Sequence, residues 1–332
     1  MKNNRTFIIA ELSANHNNDL DLALRTVKAA AESGADAIKV QTYTADSLAI
    51  DVDNEFFGPK KEGLWKGIRP YDLYTEASLP YDWHKPIQKA AKEHGLIFFS
   101  SPFDLEGVDF LETLNVPLYK IASFEITDIP LIEYTASKGK PMIISTGVAS
   151  EEDINLAVET CRMAGNYDIT LLKCTSQYPA KIEDANLSTI TDMQQRFNVK
   201  IGLSDHTMGD IVPTTAVALG AVVIEKHFIL NRNLDGPDSS FSMEPKEFKE
   251  MVDKVRLVEA SLGEVSYKIT EKDIYKRRSL FAVKDIKKGE VFTKENVRSV
   301  RPGVGLHTKF YKTLLGERSN REYRKGDPLK KN

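Results

Sequence analysis

A chain of 332 residues, 41% hydrophobic and 28% charged, has room for one large barrel and a small second domain. Its composition is that of a globular protein, not a disordered or fibrous one. The formal net charge of −3 gives no overall attraction to nucleic acid or to an acidic membrane, and neither is expected as a partner.

Charge is unevenly placed. Tyr267 to Asn332 carries 19 Lys/Arg against 8 Asp/Glu, leaving 26 against 40 in the rest. Such a basic tail suits an intramolecular or intersubunit contact, an anionic substrate, or simply a solvated surface. The opening Met1–Arg5 lacks the apolar core of a leader, and no apolar run approaches the roughly 18 residues of a membrane span, so a cytoplasmic protein is expected. Cys161 and Cys174 have no CxxC spacing and read as buried free thiols of a reducing compartment.

In chain order, the first strand is predicted at Phe7–Glu11 and the first helix at Asp19–Ser33, ended by Gly34. A strand at Ala37–Gln41 precedes a long insertion, Ala45–Leu79, rich in aromatics (Phe56, Phe57, Trp65, Tyr71, Tyr74). Helix Tyr81–His94, strand Ile97–Ser101, helix Glu106–Leu114, strand Leu118–Ile121, helix Ile129–Ser137 and strand Pro141–Ser145 follow. Helix Ser150–Ala164 opens Ser-Glu-Glu-Asp, an N-cap with an acidic first turn. Strand Ile169–Lys173, helix Leu187–Phe197, strand Lys200–Ser204, helix Asp210–Leu219, strand Val222–His227 and helix Pro245–Leu262 complete the series. The strands are short, apolar on both faces and rich in β-branched and aromatic residues, as in a covered parallel sheet.

Eight such alternations predict an α/β fold, a (β/α)8 TIM barrel over residues 1–265. A doubly wound open sheet is the alternative, but Glu11-Leu-Ser-Ala-Asn-His16 has no glycine-rich phosphate turn. Residues 266–275 read as a linker. Residues 276–332 read as a small, mostly β domain, with Arg277–Val283, Asn296–Val300 and the turn Arg301-Pro-Gly-Val-Gly305.

Catalytic groups of such barrels sit at the C-terminal ends of the strands. Those positions hold Glu11, Lys39, Gln41, Ser100, Ser101, Lys120, Ser123, Ser145, Thr146, Lys173, Thr175, Ser204, Asp205, His206, Glu225 and His227. His206 and His227 end neighbouring strands and can converge on one divalent metal, with Glu225 or Asp205 holding a water or orienting a ring. Two nitrogen ligands without thiolates leave positions open for Lewis-acid chemistry. Ser101, Lys120, Ser123, Ser145, Ser176 and Ser204 place hydroxyls around an ammonium, with no carboxylate among them, which suits a phosphate dianion. Lys39 could take a neighbouring carboxylate. Phosphate and carboxylate beside a metal describe phosphoenolpyruvate.

Ala10-Glu-Leu-Ser-Ala-Asn-His-Asn17, Ala35-Asp-Ala-Ile-Lys-Val-Gln41, Tyr119-Lys-Ile-Ala-Ser123, Ser145-Thr-Gly147, Gly202-Leu-Ser-Asp-His-Thr207, Glu225-Lys-His-Phe228 and Gly236-Pro-Asp238 together resemble the sialic acid synthase family. The last domain, with its Arg301-Pro-Gly turn, resembles that family's antifreeze-like (SAF) domain. The resemblance implies a transferase that condenses phosphoenolpyruvate with an acetamido sugar, and it spans essentially the whole chain.

It further implies that His206 and His227 bind Mn2+ or Mg2+, that Glu225 holds the water on that ion, and that Glu11 and Glu225 are catalytic. Lys39, Ser101, Lys120, Ser123, Ser145, Ser176 and Ser204 would bind phosphoenolpyruvate. Gln41, Glu125, Tyr178, Asp238 and Arg301 would bind the sugar, Arg301 by reaching the partner's barrel in a domain-swapped homodimer. Ser13 and Asn18 stand where the N-acetylneuraminate synthases carry glycines, and Ser176 where they carry Asn. With Pro70-Tyr-Asp-Leu-Tyr-Thr-Glu-Ala77, these departures resemble the pseudaminic acid synthase branch, whose substrate is a 2,4-diacetamido-2,4,6-trideoxy-altrose. N-acetylneuraminate or legionaminate synthesis by the same chemistry is the alternative. An aldolase of another class, or a sugar- or ice-binding protein, would leave the antifreeze-like domain or the barrel rim unexplained.

Overall fold

The computed structural model of the protein describes residues 5–63 and 65–331. Residues 1–4, expected to lead directly into the first strand, lie outside the described residues, as do Leu64 and Asn332. The chain divides into two compact units, residues 1–263 and 264–332.

In the first unit, β1 (Phe7–Glu11), β2 (Ala37–Thr42), β3 (Ile97–Pro102), β4 (Tyr119–Ile121), β5 (Met142–Ser145), β6 (Ile169–Cys174), β7 (Lys200–Asp205) and β8 (Val223–His227) form a closed barrel in sequence order. All neighbours are parallel, and β1 closes on β8 with Phe7 beside Val223 and Glu11 beside His227. Helices Leu20–Glu32, His84–Glu93, Leu105–Thr113, Ile129–Ser137, Glu151–Met163, Ser188–Phe197, Ile211–Ala218 and Pro245–Leu262 cover it. The expected elements therefore form within a residue or two, except that Tyr81–Trp83 makes a separate 3-10 turn. The insertion carries two helices that its aromatic content did not predict, Ala45–Leu48 and Pro70–Ala77.

Local chemistry explains why helices start where they do. Asp19, Asp128 and Ser150 accept the backbone N–H of Leu22, Leu131 and Asp153 at the first turns of their helices. Gly34 and Gly165, at φ 89° and 83°, end two of them in the left-handed region.

Side-chain alternation along each strand splits the barrel into two cores. Ile8, Ala10, Ile38, Val40 and Ile144 pack outward against the helices. Ile9, Ala37, Phe99, Ile143, Leu172 and Val223 form a separate cluster, which fills the barrel from within. Gly202 belongs to the same layer: a Cβ there would stand 2.6 Å from Leu172 Cδ2 and from the Val223 carbonyl oxygen. Two residues further along, the inward positions turn polar on every strand except β6, where Cys174 stands. That change of layer positions the site.

The second unit holds β9 (Ser279–Ala282), β10 (Val297–Val300) and β11 (Leu306–His307) in an antiparallel sheet of order β10-β9-β11. Its own core is Leu280, Ala282, Ile286, Phe292, Val297, Leu314, Tyr323 and Leu329. The segment expected as a linker carries most of a short helix, Glu271–Lys276. Among the described residues, no helix is long and apolar enough to cross a membrane.

Candidate active site

Above the apolar plug, four charged side chains share the barrel interior with almost no exposure to solvent: Glu11, Lys39, Lys120 and Glu225. Lys39 Nζ lies 2.7 Å from Glu11 Oε2 and 3.8 Å from Glu225 Oε2, and Lys120 Nζ lies 3.8 Å from Glu225 Oε1. Gln41 Nε2 donates to Glu11 Oε1 at 3.0 Å, and Ser204 Oγ donates to Glu225 Oε1 at 3.0 Å. Ser101 Oγ accepts from Lys39 at 3.4 Å. Strand register brings these groups together, because Glu11 is beside Lys39 and Ser204 is beside Glu225.

Burying ions in a barrel core is a poor route to stability, so a cluster of this kind marks function. Burial, reinforced by the nearby Glu225, raises the Glu11 carboxyl above the ordinary range against the pull of Lys39. Burial lowers the Lys120 ammonium, although Glu225 opposes the shift.

Next to this cluster is a cradle of hydroxyls. Gly147 N donates to Ser123 Oγ at 3.2 Å. A Cβ on Gly147 would run into Ser176 Oγ, and would stand 2.8 Å from Ser123 Oγ and 3.1 Å from Cys174 Sγ. Ser145 Oγ, two residues away, is buried with no hydrogen-bond partner among the described residues. The six hydroxyl and ammonium groups expected to act together thus divide. Ser101, Lys120 and Ser204 belong to the charged cluster, Ser123 and Ser176 border the space beside Gly147, and Ser145 is buried at the end of β5.

The two histidines meet as expected. His206 follows β7, His227 ends β8, and their ring centroids are 5.3 Å apart. His206 Nδ1 donates to the Thr175 carbonyl at 2.9 Å, which fixes the tautomer and leaves Nε2 free to coordinate. His227 Nδ1 is buried without a hydrogen-bond partner among the described residues, 3.9 Å from Asp238 Oδ2. Burial keeps the His227 ring neutral. Two adjacent imidazoles, one neutral with an orphaned nitrogen, fit a divalent cation held by two nitrogens. Among the described residues, no cluster of three or more His, Cys, Asp or Glu side chains is placed to hold a metal.

A cavity of about 490 Å3 opens over His227. Gln41, Glu125, Tyr178 and Asp238, expected at the sugar, all line it. The Tyr178 ring packs at 51° to that of His206, with centroids 4.4 Å apart. Arg301 lies in the second unit, where it is exposed.

Four expected rim groups turn away, each because strand alternation or a local bond directs it outward. Asp205 pairs with Lys226 Nζ at 2.5 Å and accepts from Thr207, so Asp205 neither orients a ring nor holds a water at the histidines. Ser100 bonds to the Val40 carbonyl and to Thr42. Thr146 bonds back to the Leu172 carbonyl, and Lys173 to Thr175.

Several residues of the cavity were not anticipated: Tyr43, Leu48, Lys60, Leu73, Ala77 and Phe103. The signal for some of them was the long βα insertion itself, which in barrels serves the catalytic face. Leu73 and Ala77 lie one helical turn apart and share a face.

The profile of the NeuB family matches residues 26–267, and that of the SAF domain residues 277–332. The chain belongs to the NeuB family. Among its NeuB relatives, the pseudaminic acid synthase of Campylobacter jejuni is 50% identical over 329 residues, 98% of this chain and 96% of that one. The N,N'-diacetyllegionaminic acid synthase of Legionella pneumophila is 37% identical over 97% of this chain and 93% of its own. The crystal structure of the N-acetylneuraminic acid synthetase of Leptospira borgpetersenii, in complex with citrate, matches with a TM-score of 0.72 and 34% identity. That match covers 81% of this chain and 89% of the other. The family expected from the motifs is the family found, and its barrel and SAF domain are those of this chain.

Proposed function

We propose that this NeuB-family chain is a transferase that condenses phosphoenolpyruvate with 2,4-diacetamido-2,4,6-trideoxy-β-L-altrose, giving pseudaminic acid and phosphate. The observation that carries this reading is the meeting, on one barrel rim, of an anion cradle with two histidines under a cavity of about 490 Å3, a size usual for a small-molecule site. The choice of sugar is supported by the 50% identity to a pseudaminic acid synthase, against 37% to a diacetyllegionaminic acid synthase.

In this reaction the Ser123, Ser145 and Ser176 hydroxyls and the Lys120 ammonium bind the phosphate. Lys39, shifting from Glu11, takes the carboxylate. His206 and His227 would hold a divalent cation, Mn2+ or Mg2+, which when bound supplies polarisation of a carbonyl. Gln41, Glu125, Tyr178 and Asp238 orient the open-chain sugar so that its aldehyde carbon faces C3 of phosphoenolpyruvate. C3 attacks that carbon with the electron pair of the C2–C3 double bond, and a C–C bond forms. The aldehyde oxygen takes up a proton, balanced by the one released from the water in the next step, to become a hydroxyl. Water adds at C2, where positive charge has developed, and the tetrahedral adduct expels phosphate by C–O cleavage. Glu11 and Glu225 are the carboxylates close enough to stabilise that charge and to accept the proton of the water.

We also place the enzyme in the cytoplasm, in keeping with its use of phosphoenolpyruvate, as a homodimer in which each SAF domain brings Arg301 to its partner's sugar. Exposed apolar residues on successive rim loops support a covered barrel mouth: Phe124 after β4, Val148 after β5, Ile182 after β6, and Met208 and Ile211 after β7.

Mass spectrometry of products from phosphoenolpyruvate and three sugars tests the reaction. The sugars are the trideoxy-altrose, N-acetylmannosamine and the legionaminic acid precursor, each with and without chelator. The expected result is a nine-carbon acid and phosphate from the first sugar, lost on chelation. A preference for either other sugar would transfer the assignment to that branch.

A further inference from the structure

The cavity lining carries two kinds of side chain. Ser13, Gln41, Glu125 and Asp238 supply hydrogen-bonding groups. Leu48, Leu73, Ala77 and Phe103, which have no polar side-chain atom, supply an apolar patch. Tyr43 ties this patch together, with its ring 5.1 Å from Phe103 and 6.3 Å from Tyr74.

Three of the four patch residues come from the insertion, and helix Pro70–Ala77, which carries two of them, is tied at both ends. At the start of helix Pro70–Ala77, Arg69 donates to both oxygens of Asp72 and to Asp51. At its end, His16 Nε2 donates to the Ala77 carbonyl and Asn18 Nδ2 to the Glu76 carbonyl. Across the cavity, Trp65 Nε1 donates to the Pro237 carbonyl at 3.3 Å. The Asn-His-Asn-Asn run after β1 therefore anchors the end of this helix to the barrel. A helix held in this way keeps Leu73 and Ala77 in place and can discriminate between ligands.

His227 and the insertion residues line the same cavity, so an open-chain sugar with its aldehyde end at His227 can extend its far end toward the insertion. We propose that the insertion patch, centred on Leu73, determines specificity by accepting a methyl at the far end of the sugar and rejecting a hydroxymethyl. The inference rests on the condensation reading above. A hydroxyl carried into this patch leaves water and finds no partner on Leu48, Leu73, Ala77 or Phe103. A purely apolar contact rejects an added hydroxyl by a factor of about a hundred at most, which sets the scale.

The test compares phosphate release from phosphoenolpyruvate with the trideoxy sugar and with its counterpart bearing a 6-hydroxyl. The wild-type enzyme is expected to favour the deoxy sugar by about ten- to a hundredfold in kcat/KM. In Leu73→Asn that preference should fall by about tenfold, through a higher KM for the deoxy sugar, with the KM for phosphoenolpyruvate unchanged. Leu73→Ala, which only enlarges the space, should raise both sugar KM values and keep most of the preference. An unchanged preference in a Leu73→Asn protein that melts cooperatively and keeps its phosphoenolpyruvate KM overturns the proposal. Should Leu73→Asn not fold, Phe103→Asn probes the same patch from a half-buried position, and an unchanged preference there is equally decisive. A wild-type enzyme that releases no phosphate with either sugar overturns the condensation reading itself.

Discussion

A methyl group added at Gly147 would fill the space between Ser123, Ser176 and Cys174, so the missing side chain is itself part of the anion cradle. Gly147→Ala is expected to lower kcat/KM for phosphoenolpyruvate on the order of a hundredfold, the scale of an ångström-sized misplacement. The melting temperature should hardly change, which steady-state kinetics and a thermal melt together would establish. Glu125 yields a second prediction at this scale. Burial holds its carboxyl up at about 7, opposed by Lys120 and Lys39 and reinforced by Asp128, and Tyr74 also faces it. A bound sugar buries the group further, so binding should take up a proton. The sugar KM is then expected to rise as pH climbs from about 6 to about 8. In Glu125→Gln, which mimics the protonated acid, it should stay level. A wild-type KM that is flat across this range would show that Glu125 does not titrate against the sugar.

At the scale of elements, strand and helix boundaries follow from local rules, and those rules can be tested away from the site. Ser150 opens helix Glu151–Met163 with a reciprocal capping box to Asp153. Ser150→Ala should cost about 1 kcal/mol, a fall in melting temperature of about 2 to 4 °C, with no change in kcat. The insertion shows where local rules stop. Its aromatic content indicated a loop serving the active-site face, and Trp65 and Tyr74 do line the cavity. Phe56, of the same cluster, is 77% exposed, and Tyr71 turns its hydroxyl to Asp46. Which aromatics face inward depends on how helix Pro70–Ala77 is anchored, and its anchors His16 and Asn18 lie over 50 residues earlier.

For the whole molecule, the acidic barrel, the basic SAF domain and the apolar rim loops lead to an expected dimer. Sedimentation should give twice the chain mass of 37.3 kDa, and a monomer at assay concentration would remove the proposed route for Arg301. Arg301→Ala should raise the sugar KM on the order of tenfold, the scale of one hydrogen bond to a charged donor, and leave the phosphoenolpyruvate KM alone.

The sequence by itself determined the eight alternations, the polar strand ends and the pair of histidines, because period, caps and strand termini are local and survive without tertiary context. It could not tell Asp205 from Glu225, two carboxylates at the ends of adjacent strands. Only the closed barrel decided that Glu225 faces Lys39 and Lys120 while Asp205 faces Lys226. The pleat sends alternate side chains to opposite faces, and a shift of one residue exchanges interior for exterior. Likewise, only chain folding could show that residues as distant as Gly147 and Ser176 enclose one space, or that Leu73 and Phe103 line one cavity.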